Sequence, residues 1–166
     1  MLTREQFLPH EMRIVAALRM QGASDEQVIV RVKSENLFQY PTERMVANRA
    51  TVCLRRLDAM VPTDAVCAAR GIDPKTAVEA ASSLTRLMAS GTPTQTDQAI
   101  FYSMICRYDI VRELVLVEVG ERLQNFDYAF TAVDLNAFMT RFTTEYPDAA
   151  RWTEATVKRI KGSLRQ

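Results

Sequence analysis

Apolar side chains recur every three or four residues along almost all of the 166-residue chain, and only five glycines and six prolines interrupt them. That period is helical. Phe126, Tyr128 and Phe130 alternate across a connection, and elsewhere the pattern predicts an all-α, compact multi-helix protein. A first helix is expected from about Pro9 to Gln21, burying Met12, Val15, Ala16 and Leu18 and ending at Gly22. Ser24-Asp25-Glu26-Gln27 is a capping-box pattern that opens a second helix through Val28, Ile29 and Val32 to about Glu35. After the connection NLFQYP, a third helix starts near Pro41 or Thr42 and continues to Met60.

Further on, a short helix over Asp64 to Arg70 stops at Gly71, and Asp73-Pro74 starts another that ends near Gly91. The stretch SGTPTQT is the most loop-like segment and marks a hinge between an N-terminal lobe, residues 1–91, and a C-terminal lobe, residues 92–166, unless the two form one continuous domain. Beyond it, helices from Thr96 to about Arg107 and from about Asp109 to Gln124 are expected to form the central core. Asp134 is placed to cap a helix with Leu135, Phe138, Phe142 and Tyr146 on one face, and these aromatics, with Phe101, are assigned to packing. Thr153 caps a last helix that is still regular at Gln166, with neither a Gly cap nor a Pro stop.

Composition narrows the chemistry. A hydrophobic content of 48% is enough to build a core, and the net charge is only +1. Its distribution is uneven: residues 1–60 carry nine Lys/Arg against seven Asp/Glu, residues 61–150 seven against twelve, and residues 151–166 five against one. Cys53, Cys67 and Cys106 are odd in number and widely spaced, which fits a reduced cytosol and indicates neither a disulfide framework nor a metal site. The N-terminal MLTREQFLPHEMR lacks the apolar core of a signal peptide, and Ile110 to Val119 is too short and too charged to span a bilayer, so the sequence reads as a cytoplasmic protein without a membrane partner.

No catalytic constellation is visible. His10, the only histidine, sits beside Pro9 at a helix start and reads as a cap-region residue. Glycine-rich phosphate loops and nucleophile elbows are absent, and no catalytic residue, metal ligand or cofactor is assigned. Asp109 with Glu113, and Glu118 with Glu121, are read as solvated helix faces. Among the aromatics, Tyr108 beside Arg107 is the best candidate for a surface contact, although a buried position between helices is favoured for it, with Tyr102, Tyr128 and Trp152 undecided between surface and core.

The basic residues carry the functional signal. RMVANRATVCLRR, Arg44 to Arg56, holds four arginines and no carboxylate. At ~100° per residue Arg44, Asn48, Thr51 and Arg55 share a polar stripe within about 60°. Arg49 and Arg56 flank its boundary, where their aliphatic stems could lie along the core edge while the charged heads reach out. A solvated helix face would also fit the stripe, but such faces usually intersperse Glu at i,i+4 and this one does not. On the last helix Lys158, Lys161 and Arg165 share one face, with Arg159 on another and Val157, Ile160 and Leu164 turned inward. Arginine forks and neutral hydrogen-bonding groups are the kit for a phosphate backbone. A short helix, a connection and a longer polar-faced helix over Asp25 to Met60 give the N-terminal part a helix-turn-helix-like order, although the connection is long for that motif and its Phe38 and Tyr40 fit a core plug as well as a DNA contact.

Three stretches, SENLFQYPTERMVANRATVCLRRLDAM, QAIFYSMICRYDIVRELVLVEVGERL and RWTEATVKRIKGSLRQ, resemble the BrxA family, small accessory proteins of bacterial BREX phage-exclusion systems. The resemblance extends from about Glu11 to Gln166 and is thinnest between Pro62 and Pro93. It implies a helical, non-enzymatic, DNA-binding component encoded beside a methyltransferase, a phosphatase-like protein and large ATPases that mark host DNA and block phage replication. It also implies a further apolar and basic stretch beyond Gln166, and a likeness to the RNA-binding antitermination factor NusB. The sequence reading is therefore a phage-defence accessory protein that binds double-stranded DNA mainly through phosphates. Its alternatives are an adaptor that docks basic faces on other BREX components, and an RNA binder. About six neutralised phosphates would make log affinity fall with log salt at a slope near −5.

Overall fold

The computed structural model describes residues 7–164, and every regular element among them is helical. The chain divides into two compact units, one spanning Phe7–Arg107 and the other continuing from Tyr108.

The first unit contains α1 (Pro9–Met20), α2 (Asp25–Ser34), α3 (Glu43–Asp58), α4 (Asp64–Arg70), α5 (Pro74–Ser90) and α6 (Pro93–Arg107). Local chemistry sets most of these boundaries. The Ser24 hydroxyl accepts the Gln27 amide at 3.3 Å and the Gln27 side chain accepts the Ser24 amide at 2.8 Å, the reciprocal box expected at the start of α2. Thr42, Thr63 and Asp73 cap α3, α4 and α5 through bonds to the third amide of each helix, and Gly71, with φ 64°, closes α4 in the left-handed conformation that glycine adopts without strain.

The start of α6 differs from the expectation. It begins at Pro93 instead of Thr96, because Thr92 and Gln95 form a second reciprocal box, with bonds of 3.4 and 3.0 Å, and Pro93 occupies the first helical position. Thr96 lies inside the helix, buried, its hydroxyl donating to the Leu87 carbonyl at 3.1 Å. Gly91 makes the corner between α5 and α6; a Cβ there would lie 2.4 Å from the Leu87 carbonyl oxygen.

Helix α1 packs against α5, α3, α6 and α2, so Met12, Val15 and Ala16 sit in the middle of the unit. Val28 and Val32 from α2, Val46, Ala50, Cys53, Leu54 and Leu57 from α3, Ala81 and Met88 from α5, and Ala99 and Ile100 from α6 complete the core. Phe38, in the connection after α2, is a core plug with its ring edge-on to Tyr40 at 6.3 Å.

The second unit holds α7 (Asp109–Arg112), a π-helical stretch (Glu113–Val119), α8 (Gly120–Gln124), α9 (Ala132–Glu145) and α10 (Glu154–Leu164). The expected helix from Asp109 to Gln124 is thus continuous, but its middle is wound in wider turns. The β-branched Val115, Val117 and Val119 fall in that stretch, where they are stiff at χ1 and crowd an ordinary α turn. Thr131 caps α9, with Asp134 as its reciprocal partner three residues on, which corrects the expectation that Asp134 is itself the cap. Leu135, Phe138, Met139 and Phe142 are buried, and Phe142 stacks on Tyr146 at 4.2 Å and meets Trp152 at 5.9 Å.

Two further expectations are corrected. The helices before and after Tyr108, expected to form a single core, belong to different units, and Leu116 and Leu123 are exposed. Phe101 is 42% exposed, because α6 buries only the narrow stripe of Thr96, Ala99, Ile100 and Ser103 and the phenyl ring leaves on the other side. Tyr108 is buried, in line with the reading favoured over a surface contact.

Candidate nucleic-acid interface

Helix α3 carries the larger basic face. Val46, Ala50, Cys53, Leu54 and Leu57 fix its inward side, so Arg44, Asn48 and Arg55, roughly opposite Cys53 on the helical wheel, are turned out and exposed. Thr51 shares their stripe but is half-buried, and its hydroxyl donates to the Ala47 carbonyl at 2.9 Å. Arg49 is half-buried, and its charge acts on the Tyr40 phenol on the core side.

Arg56 is not on the surface. It is fully buried, at 0% exposure, and its guanidinium donates to the main-chain oxygen of Phe7 at 3.0 Å. The wheel explains this: Arg56 lies only about 60° from Cys53, inside the apolar arc, and the chain entering α1 brings a carbonyl acceptor to it. Reading Arg56 as a boundary residue with its head in solvent overestimated how far the side chain could escape.

The electrostatics of the exposed stripe depend on carboxylates that lie elsewhere in the sequence. Glu43, at the start of α3, is paired with Lys33 at 3.1 Å, and Asp58, at its end, with Arg19 at 3.1 Å. Burial, and then the charge of Asp25, push the Asp58 carboxyl above its usual pKa, against the pull of Arg19. Both acidic residues of α3 therefore have cationic partners on other helices, and Arg44 and Arg55 make no ion pair among the described residues. No sequence pattern announced these pairings, which join positions ten and thirty-nine residues apart.

The second basic face is on α10. Thr153 accepts the Thr156 amide at 3.3 Å to start the helix, and buried Ile160, with half-buried Val157 and Leu164, sets its inward side. Lys158 and Arg159 are exposed and Lys161 is half-buried, and none of the three makes an ion pair among the described residues. Arg165 lies outside the described residues.

Four carboxylates of the second unit are tied to its own arginines. Arg112 pairs with Asp109, Arg141 with Glu118 at 2.7 Å, and Arg122 with Asp127 at 2.6 Å and Asp134 at 2.7 Å. Among the described residues no three His, Cys, Asp or Glu side chains come together to hold a metal ion, and no helix is long and apolar enough to cross a membrane.

Fold and surface together define an all-helical protein with basic helix faces and a core-anchored arginine. The chain belongs to the BrxA family, whose model matches residues 1–166, the whole sequence given. Membership makes it a BREX-associated protein of an accessory defence family. No curated protein and no solved structure matches it.

Proposed function

We propose that this chain is a non-enzymatic, cytoplasmic accessory protein of a BREX system that binds duplex DNA through its phosphates. The observation that carries the reading is the state of charge along α3: Arg44, Asn48 and Arg55 are exposed on one stripe, while Glu43 and Asp58 pair with Lys33 and Arg19 on other helices and not with these arginines. Bidentate guanidinium contacts to phosphate oxygens suit such a stripe, and Asn48 adds a neutral hydrogen bond. Lys158, Arg159 and Lys161 offer further contacts on α10. Arg56 plays no part in this surface.

The test is a salt-titrated gel shift with duplex DNA, single-stranded DNA and structured RNA. Duplex should be retarded independently of sequence, with log affinity falling against log salt at a slope of about −0.9 per phosphate engaged. Replacing Arg44 and Arg55 together by Glu should abolish retardation of every duplex alike. A preference for RNA, or retention of binding by that variant, would defeat the proposal.

A further inference from the structure

The loop after α8 combines three features that packing alone does not require. Phe126 is 79% and Tyr128 74% exposed, and neither ring has a partner among the described residues. Leu123, Phe130 and Val133 extend the apolar surface on either side. Large apolar groups gathered in this way on a surface mark an interaction site more often than a solvated loop.

The loop is also held rigidly. The Asp127 amide reaches back to the Arg122 carbonyl at 2.9 Å and the Phe126 amide to that of Leu123 at 3.2 Å, which is the Schellman ending of a helix. Arg122 donates to Asp127, Asp134 and the Ala129 carbonyl at 2.6, 2.7 and 2.9 Å, clamping the loop to α9. The residue that the ending places in the left-handed conformation is Phe126, with φ 58°, where glycine is the ordinary choice. A strained backbone and an exposed ring at one position both oppose folding stability, so the phenyl group is kept for something other than the fold.

Charge identifies the occupant. Beside the rings is a shallow cleft of about 250 Å³ lined by Glu118, Glu121, Arg122, Asn125 and Asp127. Glu118, Asp127 and Asp134 share the two cations Arg122 and Arg141, and Glu121, which lines the same cleft, makes no ion pair among the described residues. This excess of negative charge repels a phosphate backbone and attracts a cation. Within the loop Phe130 already carries the Arg122 guanidinium over its ring at 5.6 Å, whereas the faces of Phe126 and Tyr128 are open to one from outside.

We infer that this loop docks a protein partner through a helix or strand that presents a lysine or arginine next to an apolar side chain. The cation enters the carboxylate-lined cleft and the apolar group lies on Phe126 and Tyr128. The site has the opposite sign to α3 and α10, and it stands or falls independently of DNA binding.

Nuclear magnetic resonance titration of the full chain tests it with three probes: a synthetic amphipathic peptide of leucines flanked by lysines, the same peptide with glutamates for lysines, and a single-stranded oligothymidylate. The lysine peptide should shift the amide signals of residues 121–130 and the other two should not. Its affinity should fall about tenfold or more in Phe126→Gly and in Tyr128→Ser. Phe126→Gly should melt at or a few degrees above the parent, since glycine relieves the left-handed backbone, so lost binding there cannot be lost folding. Absence of lysine-peptide binding, unchanged binding by Phe126→Gly, or an equal response to oligothymidylate would overturn the inference. So would concentration-dependent self-association in the ultracentrifuge that Phe126→Gly abolishes, because the occupant would then be a second copy of this chain.

Discussion

Tyr40, in the connection between α2 and α3, donates its phenolic hydrogen to the carboxylate of Glu11 on α1, a bond across 29 positions of sequence. Glu11 is buried, and that donor satisfies one of its oxygens. Tyr40→Phe should therefore destabilise the first unit by about 1–3 kcal/mol at neutral pH, the range expected when a buried acceptor loses its partner. Burial first, and the bond to Glu11 next, raise the Tyr40 pKa above the ordinary phenol value. The folded state thus holds this proton more tightly than the unfolded chain. The resulting stabilisation is whole below about pH 10 and is lost as pH rises through the higher folded value. Melting followed by circular dichroism between pH 8 and 11, values chosen to bracket the phenol range at about 10, should show an alkaline decline that is shallower in the Phe variant.

Arg56 and Arg44, twelve positions apart on α3, should separate folding from binding. Arg56→Ala removes a fully buried side chain bonded to Phe7 and should cost roughly 2–4 kcal/mol, lowering the melting temperature by about 5–10 °C. Arg44→Glu should leave the melt unchanged and weaken retardation of all duplex sequences. A temperature scan alongside a gel shift at a temperature where both variants are folded distinguishes the two effects. A stable Arg56→Ala that fails to bind DNA would contradict the assignment.

The contribution of α10 can be read from salt dependence. Lys158→Gln with Arg159→Gln should make the slope of log affinity against log salt shallower by about 1–2, while a base-reading pair would instead lose one preferred sequence. Fluorescence anisotropy with unrelated duplexes at several salt concentrations measures both.

Asp134 couples the start of α9 to the acid limb of stability. The Thr131 hydroxyl and amide, and after them Arg122, hold its carboxyl below the usual aspartate pKa. Its contribution is therefore present above the unfolded value near 3.9 and is lost as pH falls through the lower folded value. Asp134→Ala should lower the melting temperature at pH 7 and flatten the decline on acidification. An acid limb of unchanged steepness would show that other carboxylates set it.

Helix positions were largely legible because their ends are local. Ser24 with Gln27, Thr42, Asp73 with Pro74, Gly71 and Thr153 each act within four residues, and each ends a helix where its chemistry demands. Thr92-Pro93-Thr94-Gln95 has the same signature, masked by the loop-like string in which it sits. The state of Arg56 could not be read so directly. Its wheel angle fits either a snorkelling head or a buried one, and the choice was made by a carbonyl 49 positions earlier. Likewise the exposed stripe of Arg44, Asn48 and Arg55 was visible as a pattern, but its lack of neutralisation rests on Lys33 and Arg19, which only the tertiary structure brings to Glu43 and Asp58.

The widened turns between Glu113 and Val119 fix the angular phase of all that follows along the same helix. A π turn holds one residue more than an α turn, so deleting a single residue there would let the α repeat resume, while Arg122, Asp127 and Asp134, which all follow the stretch, would keep their clamp. The extra residue of that stretch is therefore separable from the clamp that holds the loop to α9.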